Sequence, residues 1–203
     1  MSEQKTGFGG MLKLGIILAI YSAVACVGLA FVYNGTIKII NQRQKDDEAA
    51  ALKELFPDAD SFNNISGLSS RDSMVTIEEG GAFEALRNGS VVGVALRTSR
   101  PGYGGEIKIL VGVSIDGKIC GVKILDHKET PGLGANAGSS NYFVDRSKGI
   151  RFYDQFTGKS VNDAFIPKQD VIAITAATIT SQAVSSSVKA AGEAASVWFG
   201  GLR

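Results

Sequence analysis

Apolar residues fill one early stretch of the chain almost without interruption. From Leu14 to Ile37 there is no charged residue, and the apolar part at 14–33 is about as long as a helix must be to cross a bilayer core. The small residues at 23–25, followed by Cys26, also resemble the cleavage site of a signal peptide or a lipoprotein, but the apolar run continues well beyond them. We therefore predict an uncleaved transmembrane helix at 14–37, preceded by a polar segment at 1–13.

A second pattern follows, in which charged residues and strong helix formers precede a few apolar positions. Residues 41–56 read as a helix that Pro57 ends, and its apolar positions are Leu52, Leu55 and Phe56. We predict a juxtamembrane helix at 38–57 that leaves the membrane and docks on a folded domain at 58–203. The polar residues at 58–73 predict a loop.

The middle of the chain alternates between apolar and polar positions, which is typical of half-buried strands. Residues 82–87 and 90–99 flank Asn88-Gly89 and predict a hairpin. Residues 107–115 alternate most clearly, and the turn dipeptide Asp116-Gly117 leads to a return strand at 118–126 that places Cys120 in the core. The pattern predicts an antiparallel sheet with flanking helices, and hence an α+β fold.

Helical periodicity returns at the C-terminal end. A short β-branched run at 171–174 predicts a buried strand, four small residues follow, and a helix is predicted from Ile179. Between the sheet and this run, residues 141–146 predict a helical turn. The helix carries one apolar stripe, formed by Val184, Val188, Ala191, Ala195 and Trp198.

Thr178 stands where this predicted strand turns into the helix. A helix start offers free backbone N–H groups and a favourable dipole, so a phosphate bound to or esterified with the hydroxyl would be well placed there. The plainer interpretation is that Thr175, Thr178 and Thr180 only cap the helix.

The loop after the return strand contains the chain's single histidine, His127. A lone histidine beside Glu129 and Thr130 is more often a structural hydrogen-bonding group than a catalyst. The glycines that follow predict a tight turn with exposed N–H groups, which either cradles a planar ring or is only a turn. Upstream, Tyr103 lies in a glycine-rich loop, where packing is its expected role and flanking a ring the alternative.

These two segments carry a family resemblance. The sequence from His127 to Gly134, HKETPGLG, and the sequence TAATITS ending at Ser181 resemble two motifs of the FMN-binding domain family. The first motif is a hallmark of the branch formed by the G subunits of Rnf electron-transport complexes and the C subunits of sodium-pumping NADH:quinone oxidoreductases. The short length of this chain is more similar to that of the Rnf subunits than to that of the quinone-reductase subunits.

The resemblance implies a cofactor, its ligands and partners. FMN would be joined through its phosphate to Thr178 as a phosphoester, installed by a flavin transferase. The remaining cofactor-binding positions would be Glu129, Thr130, Gly132, Leu133, Gly134, Thr175 and Ala177. The chain would be a single-pass protein of the cytoplasmic membrane with its flavin domain on the extracytoplasmic side. It would relay electrons within an ion-translocating ferredoxin:NAD oxidoreductase, beside the other membrane subunits of the complex.

Two positions depart from the usual motif, Asp-x-x-Ser/Thr-Gly-Ala-Thr. Ile172 replaces the Asp and Ala176 replaces the Gly, where we expect a positive φ. We expect flavin attachment to survive and to run more slowly than with Asp at position 172. Three other interpretations remain, namely an extracytoplasmic flavin-dependent reductase component, a subunit of a sodium-pumping NADH:quinone oxidoreductase, and a flavin-free assembly subunit. The net charge of +1 indicates no nucleic-acid partner.

Overall fold

A computed structural model describes residues 8–201, and the chain divides into two compact units between Asp46 and Asp47. Helix α1 (Phe8–Leu55) runs without a break through both helices that the sequence predicts at 14–37 and 38–57. Its apolar part is exposed in the structure and is long and apolar enough to cross a membrane. Of the predicted polar segment at 1–13, residues 1–7 lie outside the described part of the chain, and the rest is helical.

The second unit is built on a five-stranded antiparallel sheet in which the strands follow their order in the chain. The strands are β1 (Ser61–Ile65), β2 (Thr76–Arg87), β3 (Ser90–Pro101), β4 (Glu106–Ser114) and β5 (Ile119–His127). A separate pair consists of β6 (Phe143–Asp145) and β7 (Ile150–Arg151), and helix α2 (Thr178–Gly201) closes the described chain. The predicted α+β fold and the predicted hairpins are confirmed.

Alternation along the strands gives the sheet two apolar faces. On one face, Val94 of β3 and Val111 of β4 pack in a common core with Val184 and Val188 of α2. On the other face, Ala95 and Leu110 pack with residues 51–56 at the end of α1 and beyond it. The sheet is therefore covered on both sides, which explains why its central strands are almost fully buried.

Helix α2 packs closely against the sheet and the neighbouring segments because small residues form most of its buried surface. Twelve of its residues are buried, and they are mainly alanine, serine, glycine and valine. At Gly192 an added Cβ would lie 3.1 Å from Cβ of Val161, so the glycine allows the helix to approach that segment. The predicted apolar stripe is confirmed, with Trp198 partly buried at its end.

Three local predictions are wrong. The predicted loop at 58–73 contains β1, and the predicted helical turn at 141–146 contains β6, where Phe143 pairs with Arg151. The predicted strand at 171–174 is an irregular segment in which the backbone of Ile172 and Ile174 bonds to side chains. There Ile172 N–H donates to Gln155 Oε1 (2.7 Å) and Ile174 N–H donates to Ser181 Oγ (2.9 Å). Side-chain acceptors thus replace the neighbouring strand that this run would need.

Candidate functional site

Thr178 is the first residue of α2, one position before the predicted start, and its side chain is exposed. The chain reaches it through Ala176, whose φ is +59°. This confirms the expected positive φ at the position where the family motif has glycine. The first N–H groups of a helix have no intrahelical partner, so they can hold an anion beside the Thr178 hydroxyl.

Ser181 holds this turn in place, a role that the sequence did not reveal. Its buried hydroxyl accepts a hydrogen bond from Ile174 N–H and donates one to the Ala177 carbonyl, both 2.9 Å long. The two bonds clamp the chain on either side of Ala176 without help from a sheet. A serine three residues after the motif's threonine is the only signal of this role in the sequence.

Glu129 joins three segments of the chain at one buried carboxylate. Its side chain is 7% exposed, and Oε1 accepts the N–H groups of Tyr103 (2.8 Å) and Gly104 (3.0 Å). Oε2 accepts the hydroxyl of Thr180 (2.7 Å), in the first turn of α2. The glycine-rich loop, the loop after β5 and the start of α2 therefore meet at a single side chain. Thr180, one of the three threonines considered as helix caps, faces this carboxylate.

Glycines surround Glu129 because there is no space for a Cβ. At Gly134 an added Cβ would overlap Glu129 Oε2 and would lie 2.6 Å from Thr180 Oγ1. At Gly102 it would overlap Glu129 Oε1, and at Gly104 it would overlap the Lys128 carbonyl. The glycines of both loops thus let the backbone close around the carboxylate.

A groove of about 440 Å³ opens in front of this arrangement, and we call it the ring groove. It is lined by Tyr103, Glu129, Thr130, Leu133, Gly134, Ala176, Ala177, Thr178, Ile179 and Thr180. Packing is the expected role of Tyr103, but its side chain is 75% exposed at the groove, which favours the alternative of flanking a ring. Leu133 and Ile179 are also exposed there. The size and the largely apolar walls suit a planar aromatic group, with a few polar atoms to orient it.

A second groove of about 520 Å³ lies beside the first, and we call it the loop groove. It is lined by the continuous segment 168–176 together with Thr178, so Ala176 and Thr178 border both grooves. Asp170 shapes this segment by accepting the N–H groups of Phe165 (2.8 Å) and Ile166 (2.6 Å), with Lys159 Nζ 3.8 Å from Oδ2.

The pKa of Asp170 reflects these partners. Burial alone raises it, but the N–H groups of Ile166 and Phe165 and the ammonium of Lys159 together outweigh burial and hold the pKa below its ordinary value.

Most residues singled out from the sequence lie at these grooves. Thr130, Leu133, Gly134 and Ala177 line the ring groove with Glu129, and Thr175 lines the loop groove, where its N–H faces the hydroxyl of Tyr142 at 3.3 Å.

Gly132 and His127 have other roles. Gly132 forms the turn, with φ of +77° and its carbonyl bound by the side chain of Asn136. His127 Nδ1 accepts the N–H of Glu129 (3.3 Å), which agrees with a structural role. Within residues 8–201 no cluster of three or more His, Cys, Asp or Glu side chains could hold a metal ion.

Comparison with known proteins gives two family matches. Residues 102–193 match the FMN-binding domain, and residues 3–55 match the RnfG N-terminal region. The first match contains both loops that meet at Glu129 and most of α2.

Curated relatives match along most of the chain. The G subunit of the Na⁺-translocating ferredoxin:NAD⁺ oxidoreductase complex of Acetobacterium woodii is 35% identical over 193 residues, covering 88% of each chain. The G subunit of the proton-translocating ferredoxin:NAD⁺ oxidoreductase complex of Clostridium ljungdahlii is 31% identical and covers 91% of each chain. The G subunit of the ion-translocating oxidoreductase complex of Shewanella baltica is 33% identical over 202 residues, covering 93% of this chain and 89% of that one. Among solved structures, Shewanella oneidensis NqrC covers 72% of both chains at 18% identity, with a TM-score of 0.48.

Proposed function

The chain belongs to the family of Rnf-complex G subunits, and on that premise we propose that it is the FMN-carrying electron-transfer subunit of an Rnf-type ion-translocating ferredoxin:NAD oxidoreductase. The flavin is joined to Thr178 by a phosphoester. The subunit acts only as part of the complex, relaying electrons between its other redox centres. The matched relatives are G subunits, so the quinone-reductase alternative is not favoured.

The observation that carries this proposal is the position of Thr178. Its exposed hydroxyl stands at the first residue of α2 and borders both grooves. A phosphate esterified there meets the free N–H groups of the helix start, whose dipole favours the negative charge by about 0.3–1 kcal/mol at an exposed site. From the same point the ring groove is directly accessible to the rest of the cofactor.

The residues of the ring groove fit a flavin. FMN bound there would supply the one-electron chemistry of the relay. Tyr103, Leu133 and Ile179 offer an apolar surface that excludes water from a planar ring, and the backbone around Gly134 can approach it closely because no Cβ intervenes. Thr130 adds a hydroxyl at the edge of the groove. These residues bind and orient the ring, while Thr178 prevents its loss.

Replacing Thr178 tests the attachment. Thr178→Val keeps the β-branched shape at an exposed position and removes only the nucleophile. We expect this variant to fold, to reach the membrane and to carry no covalent FMN when it is produced together with a flavin transferase. The measurement is flavin fluorescence of the denatured protein in a gel, with peptide mass to locate the adduct.

Thr180→Val is the matched control. The Thr180 hydroxyl is buried and bound to Glu129, so a transferase cannot reach it, and this variant should keep its flavin. A fluorescent Thr178→Val band, or an adduct mapped to Thr175 or Thr180, would contradict the proposal.

We further propose that the flavin domain lies on the extracytoplasmic side of the membrane, anchored by α1 next to the other membrane subunits. The helix is apolar enough to span, but the basic residues that flank it do not decide its direction. Covalent attachment suits that side, because a cofactor that dissociated there would be diluted away. A reporter that is active only in the cytoplasm, fused after Arg203, should remain silent. Strong reporter activity would show that the flavin domain lies on the cytoplasmic side.

A further inference from the structure

Glu129 supplies a buried negative charge to the wall of the ring groove. At 7% exposure it is the one acidic side chain among the groove's lining residues. Its carboxylate accepts three hydrogen bonds, two from residues that line the groove, Tyr103 N–H and the Thr180 hydroxyl, and one from the neighbouring Gly104 N–H. A charge this deep is screened by water far less than a surface charge is.

We propose that Glu129 tunes the redox potential of the flavin, holding it low by its charge, with the Thr180 hydroxyl moderating that charge. This inference rests on the proposed function. Reduction adds electron density to the ring, and a fixed negative charge in the same groove opposes that addition. Each hydrogen-bond donor that binds the carboxylate disperses the negative charge of Glu129 and weakens its effect on the reduction of the ring. Glu129 is thus a positioning residue for the two loops and also a source of field at the ring.

The geometry allows charge and architecture to be separated. In Glu129→Gln the amide oxygen can accept the N–H groups of Tyr103 and Gly104, while the amide NH₂ can donate to Thr180 Oγ1, which can accept as well as donate. The groove should therefore keep its shape and lose only the charge. We expect the midpoint potential of the flavin to shift to a more positive value.

Thr180→Val makes the complementary change. It keeps the charge and the β-branched shape but removes the hydroxyl that binds Oε2. The negative charge is then less compensated, so we expect the midpoint potential to shift to a more negative value. Loosening of the groove cannot explain such a pair of results, because it would move the potential in one common direction in both variants.

The experiment is a spectroelectrochemical titration of the full-length chain, flavinylated and purified in detergent, as wild type, Glu129→Gln, Thr180→Val and Glu106→Gln. Glu106 is exposed at the start of β4, so its replacement makes the same chemical change outside the groove and should leave the potential unchanged. Opposite shifts in the two groove variants support the proposal.

Several results would overturn it. An unchanged potential in Glu129→Gln, shifts of the same sign in the two groove variants, or an equal shift in Glu106→Gln would each do so. If Glu129→Gln did not fold, an unmoved potential in Thr180→Val would overturn the proposal and a negative shift would support it. Flavin that stays on Thr178 while the potential does not move rejects only the role of Glu129, whereas a wild-type protein without flavin rejects this role and the proposed function together.

Discussion

The ring groove and the loop groove share Thr178 and differ in what holds them. The ring groove closes around Glu129, a buried carboxylate whose partners come from three separate parts of the chain. The loop groove is lined mainly by the continuous segment 168–176, which is held by Asp170 within it and by the side chains of Gln155 and Ser181 outside it. The ring groove thus depends on one buried carboxylate that joins three segments, whereas the loop groove depends on separate hydrogen bonds to one irregular segment, most of whose residues are exposed.

This contrast fits the two tasks proposed for the site. The ring groove must keep one geometry around a cofactor, and its glycines leave no space for rearrangement. The loop groove must admit a transferase to the hydroxyl of Thr178, and its segment contains two non-glycine residues with positive φ, Lys168 and Ala176. Its exposed side chains, among them Ile172, face solvent where a partner enzyme can meet them.

The largest effect is expected from Gly134→Ala in the ring groove. The new methyl group would overlap Glu129 Oε2 and crowd the Thr180 hydroxyl at 2.6 Å. The carboxylate can move aside only by giving up hydrogen bonds while it stays buried. We expect a loss of about 3 kcal/mol or more in the free energy of unfolding, from overpacking together with unsatisfied polar groups. Denaturant unfolding of the full-length chain measures it.

Gly132→Ala is the control for that substitution. It lies in the same loop, where an added Cβ meets nothing within 4 Å, and its cost arises only from the φ of +77°. That cost should be about 1 kcal/mol. Equal losses in the two variants would show that Glu129 does not limit the space at Gly134.

A smaller effect is expected at the edge of the loop groove. Asp170→Asn keeps one oxygen acceptor and turns an NH₂ toward the other backbone N–H, so one of the two bonds from Phe165 and Ile166 is lost. We expect the variant to be less stable by about 1–3 kcal/mol at neutral pH. Thermal or denaturant unfolding measures this loss, and Asp126→Asn, at an exposed position of β5, should change stability little.

The pH dependence of stability tests whether the charge of Asp170 stabilises the fold. The folded-state pKa of Asp170 is lowered, so its stabilising contribution is present above the ordinary carboxyl pKa of about 3.9 and is lost as the pH falls through the folded-state pKa. Wild type should therefore lose stability on acidification that Asp170→Asn does not lose, and the gap between them should narrow below about pH 4. A gap that stays constant down to low pH would contradict a role for the charge.

The same contrast explains what the sequence could predict. The sheet and α2 follow from the apolar periodicity, because burial on a regular element leaves a regular pattern. The segment at 171–174 has the composition of a strand, but the hydroxyl of Ser181 and the amide of Gln155 satisfy its backbone. No local sequence pattern indicates such long-range partners. The positions of Tyr103 and Thr180 escape prediction for the same reason, since both are placed by Glu129 from a distant part of the chain.

The smallest effect is expected at Ala176, where the two grooves meet. With φ at +59° this alanine holds a conformation that costs an L-residue about 1–2 kcal/mol relative to glycine. Glycine relieves that strain but gains freedom in the unfolded chain, so Ala176→Gly should stabilise the protein by no more than about 1 kcal/mol. The neighbouring Ala177→Gly is the matched control. Ala177 has no positive φ and its side chain is buried, so the same change should destabilise the protein. Melting temperatures that rise for Ala176→Gly and fall for Ala177→Gly would place the strain at the residue that links the two grooves, whereas a fall in both would show that the turn bears none.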